Sequence, residues 1–484
     1  MTKLRIYRKE SDTLEIISSP QDSIERGNYL IVEDLESDRA LVIQVVDIQF
    51  ANMPGILEDL LRDQISTDEV FGDDHDPLGL TSQITKLRDT RVLIGKIRAS
   101  LHSGQISSNI SWLPTRANSS IRKIEADALL KLLRIGLRRP IVIGTSGIES
   151  EVRIDADSLD GKLTVILGKK GTGKSNLSKV LLLGLLDQDA PCVVFDPNGE
   201  YVNLNLSSKG EKNGYYERIF NLQPGKNFRV SLRDCSSGVL VNILTNALGL
   251  PSTSTREFHR LWRFLEQRGL LTLDDMAEAL TDWDCHESVR DALISRFNTL
   301  LYSGFFSDDT SNGLPIASIF EKLASGGLLV LNLKESSAIE RRIVVEFMLG
   351  KLVELLRNWR LKALFLFAEE AHLYLRETYW EDIVTRMRHL GLFATFITNQ
   401  PDSIAETVYR QADSIYLFNF KNEHDLGCIS RVARVDNTTM NLIARTLEPH
   451  HCLILGEATS DLPLVVKIKE LEVQTLGETR KFFD

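Results

Sequence analysis

The sequence predicts an α/β fold with a mostly parallel sheet and a helical insertion, preceded by a small N-terminal β-barrel. Residues 1–155 contain short strand-like runs separated by turns, a pattern typical of a barrel or sandwich. From residue 161 onward, continuously apolar runs alternate with helical stretches, as expected for strands buried on both faces of a parallel sheet. This change divides the chain into an N-terminal β domain (1–155) and a larger α/β domain (156–484).

The N-terminal domain contains several predicted elements. They are the runs YLIVED (29–34), ALVIQVVDIQF (40–50) and RVLIGKIRAS (91–100), the helical IEADALLKLLRIGL (124–137), and IVIGTSGIESEVRID (141–155). The acidic segment STDEVFGDDHDPLG (67–80) is interpreted as a solvated loop, since runs of charge usually face water. The alternative is a metal site, formed by Asp73, Asp74, His75 and Asp76.

The predicted strands of the larger domain are short and apolar. They are LTVILG (163–168), PCVVFD (191–196), GLLVLNL (327–333), ALFLFAEE (363–370), LFATFIT (392–398) and SIYLFNF (415–420). Helical material at about 253–325 interrupts them, and a helix followed by two strands, HCLILG and PLVVKIKEL, comes near the end.

Composition excludes several classes of protein. Hydrophobic residues make up 43% and charged residues 26%, as in ordinary soluble proteins, and no run of apolar residues is long enough to span a membrane. The first residues lack an apolar signal core, so we expect a cytoplasmic protein. The five cysteines are scattered, which argues against a zinc site or a disulfide framework. A net charge of −10 argues against a surface coated in positive charge for nucleic acid, although basic residues could still line a central hole.

The segment GKKGTGKS (168–175) fits the complete phosphate-loop pattern and lies between a predicted strand and a predicted helix. Its glycines let backbone N–H groups point at phosphate oxygens, and the helix adds its positive N-terminal end. Lys174 would reach the β- and γ-phosphates, and the Ser175 hydroxyl would ligate Mg²⁺. We therefore expect ATP with Mg²⁺ as cofactors. The expected binding residues are Gly168, Gly171, Thr172, Gly173, Lys174, Ser175 and Asn176.

A pair of carboxylates ends the apolar strand ALFLFAEE. Buried carboxylates are costly unless a cation or a water network lies beside them, so Glu369 and Glu370 indicate a site; the alternative is a strand end that reaches solvent. We expect Glu370 to polarise the attacking water and Glu369 to act on the Mg²⁺ shell. His372 either orients Glu370 or is a structural histidine.

A further acidic group follows the predicted strand PCVVFD. Asp196 and Glu200 flank the turn PNG, and Asp196 is a candidate metal ligand facing the phosphate site. The alternative is an aspartate that accepts hydrogen bonds from the turn's backbone.

These motifs occur in a characteristic order. ILGKKGTGKSN, VVFDPNGEY, FAEEAH and RMRHLGLFATFITNQPDSI together resemble the HerA branch of the HerA/FtsK ATPases, which are hexameric motors that pump double-stranded DNA. The resemblance spans about 161–470, and the run 141–155 resembles the end of that family's N-terminal HAS-barrel. It implies a RecA-like P-loop ATPase domain. The LSGGQ signature of transporter ATPases is not present, so that class fits less well. The base-reading NKxD motif is also missing, so GTP specificity is not expected.

The resemblance assigns roles to individual residues. It implies that Lys174 and Ser175 hold the phosphates and magnesium, and that Glu370 is the catalytic carboxylate. Arg388 stands where the family has a finger that reaches into the neighbouring subunit's site. Arg386 competes for that role, and a helix-face arginine is the alternative. TNQP resembles the family's polar sensor, although most relatives have Gln then Arg where this chain has Asn399 and Gln400.

The resemblance implies an ATP-driven homohexameric translocase or helicase, with double-stranded DNA in its central pore and a NurA-like nuclease as partner in DNA end processing. The alternative is an ATPase scaffold that assembles with the effector of an antiviral defence complex, which the net charge of −10 favours. The stretch 207–230 contains five basic residues and is interpreted either as a pore loop or as a solvated surface loop. These are Lys209, Lys212, Arg218, Lys226 and Arg229.

Overall fold

The computed structural model describes residues 4–51, 89–103, 105–107, 112–132, 137–147, 150–309, 315–374, 382–420, 422–430 and 436–474. The acidic segment that was considered as a metal site, with Asp73, Asp74, His75 and Asp76, lies outside these residues.

The N-terminal part forms a curved antiparallel sheet. Its strands are β1 (Arg5–Glu10), β2 (Thr13–Ser18), β3 (Tyr29–Asp34), β4 (Arg39–Phe50), β5 (Arg91–His102), β6 (Gln105–Ser107) and β7 (Ser119–Ile124). The pairing order is β1-β2-β5-β4-β3-β7, and β6 pairs with β5. Within the described residues, no pairing joins the outer strands β1 and β7, so the unit is a half-barrel where the sequence predicted a barrel.

The larger part is built on a single mixed sheet. Its strands are β8 (Pro140–Ser146), β9 (Ser150–Asp155), β10 (Thr164–Leu167), β11 (Cys192–Asp196), β12 (Ile219–Leu222), β13 (Leu328–Asn332), β14 (Leu364–Glu369), β15 (Leu392–Thr398), β16 (Ser414–Leu417), β17 (His451–Gly456) and β18 (Leu464–Ile468). The order is β12-β13-β11-β14-β15-β10-β16-β17-β18-β8-β9. The strands from β12 to β16 run parallel, and those beyond β16 pair antiparallel.

Helices cover both faces of this sheet. The α-helices are α1 (Ala126–Leu132), α2 (Lys174–Leu186), α3 (Ser237–Asn242), α4 (Ser252–Arg268), α5 (Leu273–Asp282), α6 (Glu287–Tyr302), α7 (Ile316–Ala324), α8 (Ala338–Arg357), α9 (Glu406–Gln411), α10 (Glu423–Ser430) and α11 (Asn437–Leu442). Single π-helical turns extend α3 (Ile243–Ala247) and precede β15 (Ile383–Met387). Helices α4 to α7 lie in the segment predicted to be a helical insertion.

Alternating burial explains why the central strands are continuously apolar. In β10, Val165 and Leu167 pack into one hydrophobic cluster, whereas Ile166 packs into a second cluster on the opposite face. The neighbouring strand β11 follows the same alternation, with Val193 and Val194 on opposite faces. Successive side chains of a strand point to opposite faces, so a sheet covered on both sides needs apolar residues at every position.

The hairpin β8–β9 differs from the sequence-based expectation. The run 141–155 was assigned to the N-terminal β domain, but β8 pairs with β18 and therefore extends the large sheet. Gly144 permits this pairing, because a Cβ there would lie 1.9 Å from the carbonyl oxygen of Lys467. The boundary at 155 stays a prediction, while strand pairing places this hairpin with the larger part.

The half-barrel contacts the large sheet through polar groups. The Tyr29 hydroxyl and the Gln44 amide each donate a 2.7 Å hydrogen bond to the carbonyl of Pro463, in the turn between β17 and β18. Arg98 on β5 forms a 2.9 Å ion pair with Asp436, which caps α11. Within the described residues, no helix is both long enough and apolar enough to cross a membrane.

Candidate functional site

The strand order brings the predicted site residues to the carboxyl ends of three neighbouring strands. β15 lies between β10 and β14, and the three strands are parallel. Their carboxyl ends therefore lie side by side, and each is followed by a predicted motif: the phosphate loop after β10, the carboxylate pair at the end of β14, and TNQP after β15. The open edge beyond the carboxyl ends of parallel strands is where α/β proteins usually bind ligands.

Backbone geometry explains two glycines of the phosphate loop. Gly173 caps α2 with φ 111°, in the left-handed region that side chains rarely adopt. A Cβ at Gly168 would lie 2.5 Å from the Cβ of Phe418, which is too close for any other residue. The loop thus delivers the first N–H groups of α2, which have no intrahelical partner, to the open edge.

Lys174 lies inside this loop and is only 7% exposed. Its Nζ donates a 3.0 Å hydrogen bond to the carbonyl of Lys169, and the Thr172 hydroxyl donates to the same carbonyl at 2.7 Å. Burial lowers the pKa of Lys174, while Glu369 and Glu370 oppose this shift. The charges of both predicted carboxylates therefore act on the Lys174 ammonium.

Glu369 is buried at the end of β14, with 3% exposure. Its Oε1 accepts a 2.5 Å hydrogen bond from the hydroxyl of Tyr201, and the nearby hydroxyl of Ser175 is a second donor that acts on the pKa of the carboxylate. Burial raises the pKa of Glu369 to about 7, whereas these donors and Lys174 act in the opposite direction. The two residues predicted to act on magnesium, Ser175 and Glu369, are therefore neighbours in the site.

Glu370 has an unusual backbone conformation, with φ 45° and ψ 45°. This left-handed region costs about 1 kcal/mol or more for a residue with a Cβ. Its N–H donates to the carbonyl of Ile397 at 2.9 Å, which anchors the residue to β15. Its Oε2 is buried and accepts no hydrogen bond from the described residues; His372 Nδ1 lies 3.5 Å away. A strained residue with a buried, unused acceptor is typical of a functional position.

Asp196 is fully buried at the end of β11, but its oxygens are already used. Oδ1 accepts hydrogen bonds from the N–H groups of Gly199 and Glu200 at 2.8 and 3.0 Å, and Oδ2 accepts one from Tyr201 at 2.9 Å. This geometry favours the alternative role considered from the sequence, the capping of a turn, over the role of metal ligand.

The remaining predicted binding residues have different surroundings. The Oδ1 of Asn399 is buried without a partner among the described residues, at the strand end between the phosphate loop and the carboxylates. Gln400 is exposed, and its N–H donates to the Thr398 hydroxyl at 3.0 Å. The amide of Asn176 donates to the carbonyl of Lys469 at 2.9 Å, so it is engaged with the segment after β18.

The two candidate finger arginines lie at the opposite ends of these strands, before the amino end of β15. Arg388 Nε donates to the carbonyl of Gly161 at 2.6 Å, and Gly161 precedes β10. Arg386 is far more exposed, with 81% of its side chain accessible, and pairs with Asp382 at 3.4 Å. Neither arginine belongs to the cluster around Lys174 of its own subunit.

Sequence reasoning missed two polar residues of the cluster. Tyr201 is fully buried and reaches Glu369, and Lys179 on α2 is 3% exposed with its Nζ 5.4 Å from the centroid of the Tyr201 ring. A lysine among the apolar residues of a buried helix and a tyrosine closing the motif DPNGEY were the available signals. Contact between residues 201 and 369, however, depends on strand order, which local patterns do not show.

The basic stretch 207–230 is partly built into the fold. Residues 219–222 form the edge strand β12, Arg218 pairs with Asp189 at 2.8 Å, and Lys226 pairs with Glu335 at 2.8 Å. Lys209 and Lys212 remain exposed. The assignment of this stretch as a pore loop stays a prediction.

Comparison with known proteins agrees with the motif order. Residues 141–352 match the family described as "Helicase HerA, central domain". The DNA double-strand break repair helicase HerA of Saccharolobus solfataricus is 22% identical over 353 residues, which cover 68% of each chain. The protein of the same name from Pyrococcus furiosus is 27% identical over 161 residues, 31% of this chain and 27% of that relative. The predicted resemblance is confirmed.

A solved structure shows the same fold. The plasmid coupling protein TrwB, in complex with the non-hydrolysable ATP analogue ADPNP, superimposes with a TM-score of 0.52, over 72% of this chain and 93% of that chain. The sequences are 15% identical, so this likeness concerns the fold alone. It confirms the predicted α/β class, and in this chain the mixed, mostly parallel sheet is preceded by the antiparallel half-barrel.

Proposed function

We propose that this chain, whose residues 141–352 match the HerA central domain, hydrolyses ATP and uses the energy to move double-stranded DNA. The observation that carries the ATPase part is Glu370. It is held in a strained conformation with a buried, unused carboxylate oxygen, on the strand end two places from the phosphate loop. That position suits a group that orients the attacking water.

In this proposal, the phosphate loop binds the triphosphate through its backbone N–H groups and Lys174. Glu370 holds a water molecule in line with the γ-phosphorus and accepts its proton as the new P–O bond forms and the bond to the leaving ADP oxygen breaks. The link from Glu370 N–H to the carbonyl of Ile397 keeps the carboxylate close to Asn399, whose free Oδ1 is a second acceptor for that water.

A magnesium ion fits the donors that are present. Mg²⁺ is usually bound through one or two protein oxygens together with substrate phosphates and water. Ser175 supplies a hydroxyl and Glu369 a buried carboxylate. Bound there, Mg²⁺ would neutralise charge on the β- and γ-phosphates.

Completing the site calls for a second subunit. Arg388 and Arg386 lie at the amino ends of the parallel strands, whereas Lys174 follows the carboxyl end of β10. A strand of four residues spans about 13 Å, so these arginines do not serve the phosphate loop of their own chain. We propose a homohexameric ring in which one subunit's arginine reaches the next subunit's nucleotide, because head-to-tail contacts of this kind close into rings.

The DNA part of the proposal rests on the relatives. Two of them are named as DNA double-strand break repair helicases. We propose the same substrate here, with a NurA-like nuclease as partner and DNA end processing as the pathway. The half-barrel, which contacts the sheet through Pro463 and Asp436, is the proposed docking surface for that partner.

The test is the rate of ATP hydrolysis with and without duplex DNA, together with a mass measurement of the assembly. The proposal predicts a hexameric mass and a rate that rises several-fold when duplex is added. A hexamer whose hydrolysis is indifferent to DNA would favour the scaffold function. A chain that does not hydrolyse ATP at all would contradict both.

A further inference from the structure

The turn after β11 brings a tyrosine into the candidate site. The Asp196 carboxylate accepts three backbone hydrogen bonds and thereby fixes the turn that leads to Tyr201. Tyr201 is completely buried, so its hydroxyl has no access to water. Its orientation is set by the turn and by the Lys179 ammonium above its ring.

The Tyr201 hydroxyl joins separate elements of the site. It donates to Glu369 Oε1 on β14 at 2.5 Å and lies 2.9 Å from the hydroxyl of Ser178 on α2. Ser178 follows Ser175 by one helical turn, and the Ser175 hydroxyl also acts on the pKa of the Glu369 carboxylate. The short hydrogen bond from the tyrosine of the turn therefore fixes this carboxylate.

The fixed orientation of Glu369 matters because the neighbouring carboxylates of Glu369 and Glu370 differ in their hydrogen bonds. Glu369 is held by donors, whereas the Oε2 of Glu370 has none among the described residues. Without the Tyr201 hydroxyl, the buried Glu369 carboxylate would lose a donor, and Lys174 is the charged group whose attraction would then act on it. Holding Glu369 in place thus keeps it from pairing with Lys174, whose Nζ stays in the phosphate loop on the carbonyl of Lys169.

We propose that Tyr201 is a positioning residue of the ATPase site, which orients Glu369 for Mg²⁺ through its hydroxyl. This inference rests on the proposed function for its activity readout. It adds the β11 turn to the parts of the site, and it gives the buried Asp196 a purpose in capping that turn.

The test compares two buried tyrosines whose hydroxyls both bond to Glu369. Tyr201 bonds to the side chain at 2.5 Å, and Tyr374 bonds to the backbone carbonyl at 2.7 Å. Tyr201→Phe and Tyr374→Phe each remove one hydroxyl and keep the ring, so both variants retain the packing. The two should lose similar thermal stability, which makes Tyr374→Phe the matched control for a purely structural role.

The first readout is steady-state kinetics. Tyr201→Phe should lower kcat about ten- to hundredfold, the range for loss of a hydrogen bond to a charged group, with the KM for ATP changed less than about threefold. Tyr374→Phe should keep a kcat near that of the wild type. Equal kcat for Tyr201→Phe and the wild type, or equal losses in the two variants, would overturn the proposal.

The second readout does not need hydrolysis. Binding of a non-hydrolysable ATP analogue is titrated with and without Mg²⁺, and the ratio of the two Kd values measures what the metal adds. Tyr201→Phe should reduce that ratio about tenfold, and Tyr374→Phe should preserve it. A wild-type chain with a Mg²⁺-dependent ratio but no hydrolysis would contradict the proposed function alone. An unchanged ratio in Tyr201→Phe, or no effect of Mg²⁺ on the wild type, would contradict this inference.

Discussion

The guanidinium of Arg388 lies 3.0 Å from the carboxylate Oδ2 of Asp413, immediately before β16. Together with the hydrogen bond to the carbonyl of Gly161, this ion pair anchors the arginine at the amino ends of the parallel strands. The side chain is 28% exposed, so the pair is reachable from outside the subunit. An arginine finger at this position would have to exchange Asp413 for the phosphate of a neighbouring subunit.

Mixing inactive subunits tests this shared site. Arg388→Ala and Lys174→Ala proteins should each lack turnover alone and regain part of it when assembled together, because an intact Arg388 then meets an intact Lys174 across some interfaces. The measurement is the ATPase rate of rings shown by mass to be mixed.

Arg386→Ala provides the control for this experiment. Its side chain is largely exposed and pairs weakly with Asp382, so its replacement should leave turnover near the wild-type rate if Arg388 is the finger. Full activity in Arg388→Ala with none in Arg386→Ala would assign the finger to Arg386. No rescue in mixed rings, or full activity of a monomer at high dilution, would contradict the shared site.

The buried carboxyl of Glu369 should make stability depend on pH. Its pKa is raised from 4.5 to about 7 by burial, so between these pH values the folded chain keeps a proton that the unfolded chain releases. The stabilising contribution of this group to the free energy of unfolding is therefore at its maximum below the pKa of the unfolded chain, 4.5. This contribution decreases by about 1.4 kcal/mol per pH unit and is lost as the pH rises through the pKa of the folded chain, about 7.

Glu369→Gln isolates this effect, since the amide does not titrate. Unfolding by denaturant is measured from pH 5 to 8 without nucleotide or metal, and the stability of the wild type relative to Glu369→Gln should fall over this range and level off above about pH 7. A difference that rises with pH would show that Lys174 and the two hydroxyl donors outweigh burial.

The strain at Glu370 gives a third prediction. Glycine adopts φ 45° and ψ 45° freely, whereas alanine does not, so Glu370→Gly should be more stable than Glu370→Ala by about 1 kcal/mol. This is the reverse of the usual result, in which an alanine variant is more stable than a glycine variant. Both variants lack the carboxylate and should lack turnover. The stability of each variant is measured from the midpoint of its unfolding by denaturant. An alanine variant as stable as the glycine variant would mean that the backbone at this position is not strained.

The sequence was sufficient to predict the elements that depend on local patterns. Apolar runs such as those around Val165 and Val193 identify strands buried on both faces, and the phosphate loop identifies the strand end that bears the site. Glu369 and Glu370 could be predicted as a site because carboxylates at the end of such a strand need a partner.

What could not be predicted depends on long-range pairing. The hairpin β8–β9 joins the large sheet because β18, more than 300 residues later, offers its edge. Strand β12 is four residues long and carries a polar Asn221, so its pattern is that of a loop. The bond from Tyr201 to Glu369 links residues 168 positions apart in sequence. It follows from the adjacency of β11 and β14, which no local pattern encodes.

The most direct test of the account is the turnover of Glu370→Gln, measured beside its binding of a non-hydrolysable ATP analogue. The amide keeps the size of the side chain but does not accept a proton from water. The account predicts analogue binding within about threefold of the wild type and turnover at least about a hundredfold slower. Wild-type turnover in Glu370→Gln, with a Glu369→Gln protein that binds ATP and does not hydrolyse it, would contradict the assignment of Glu370 as the carboxylate that activates water.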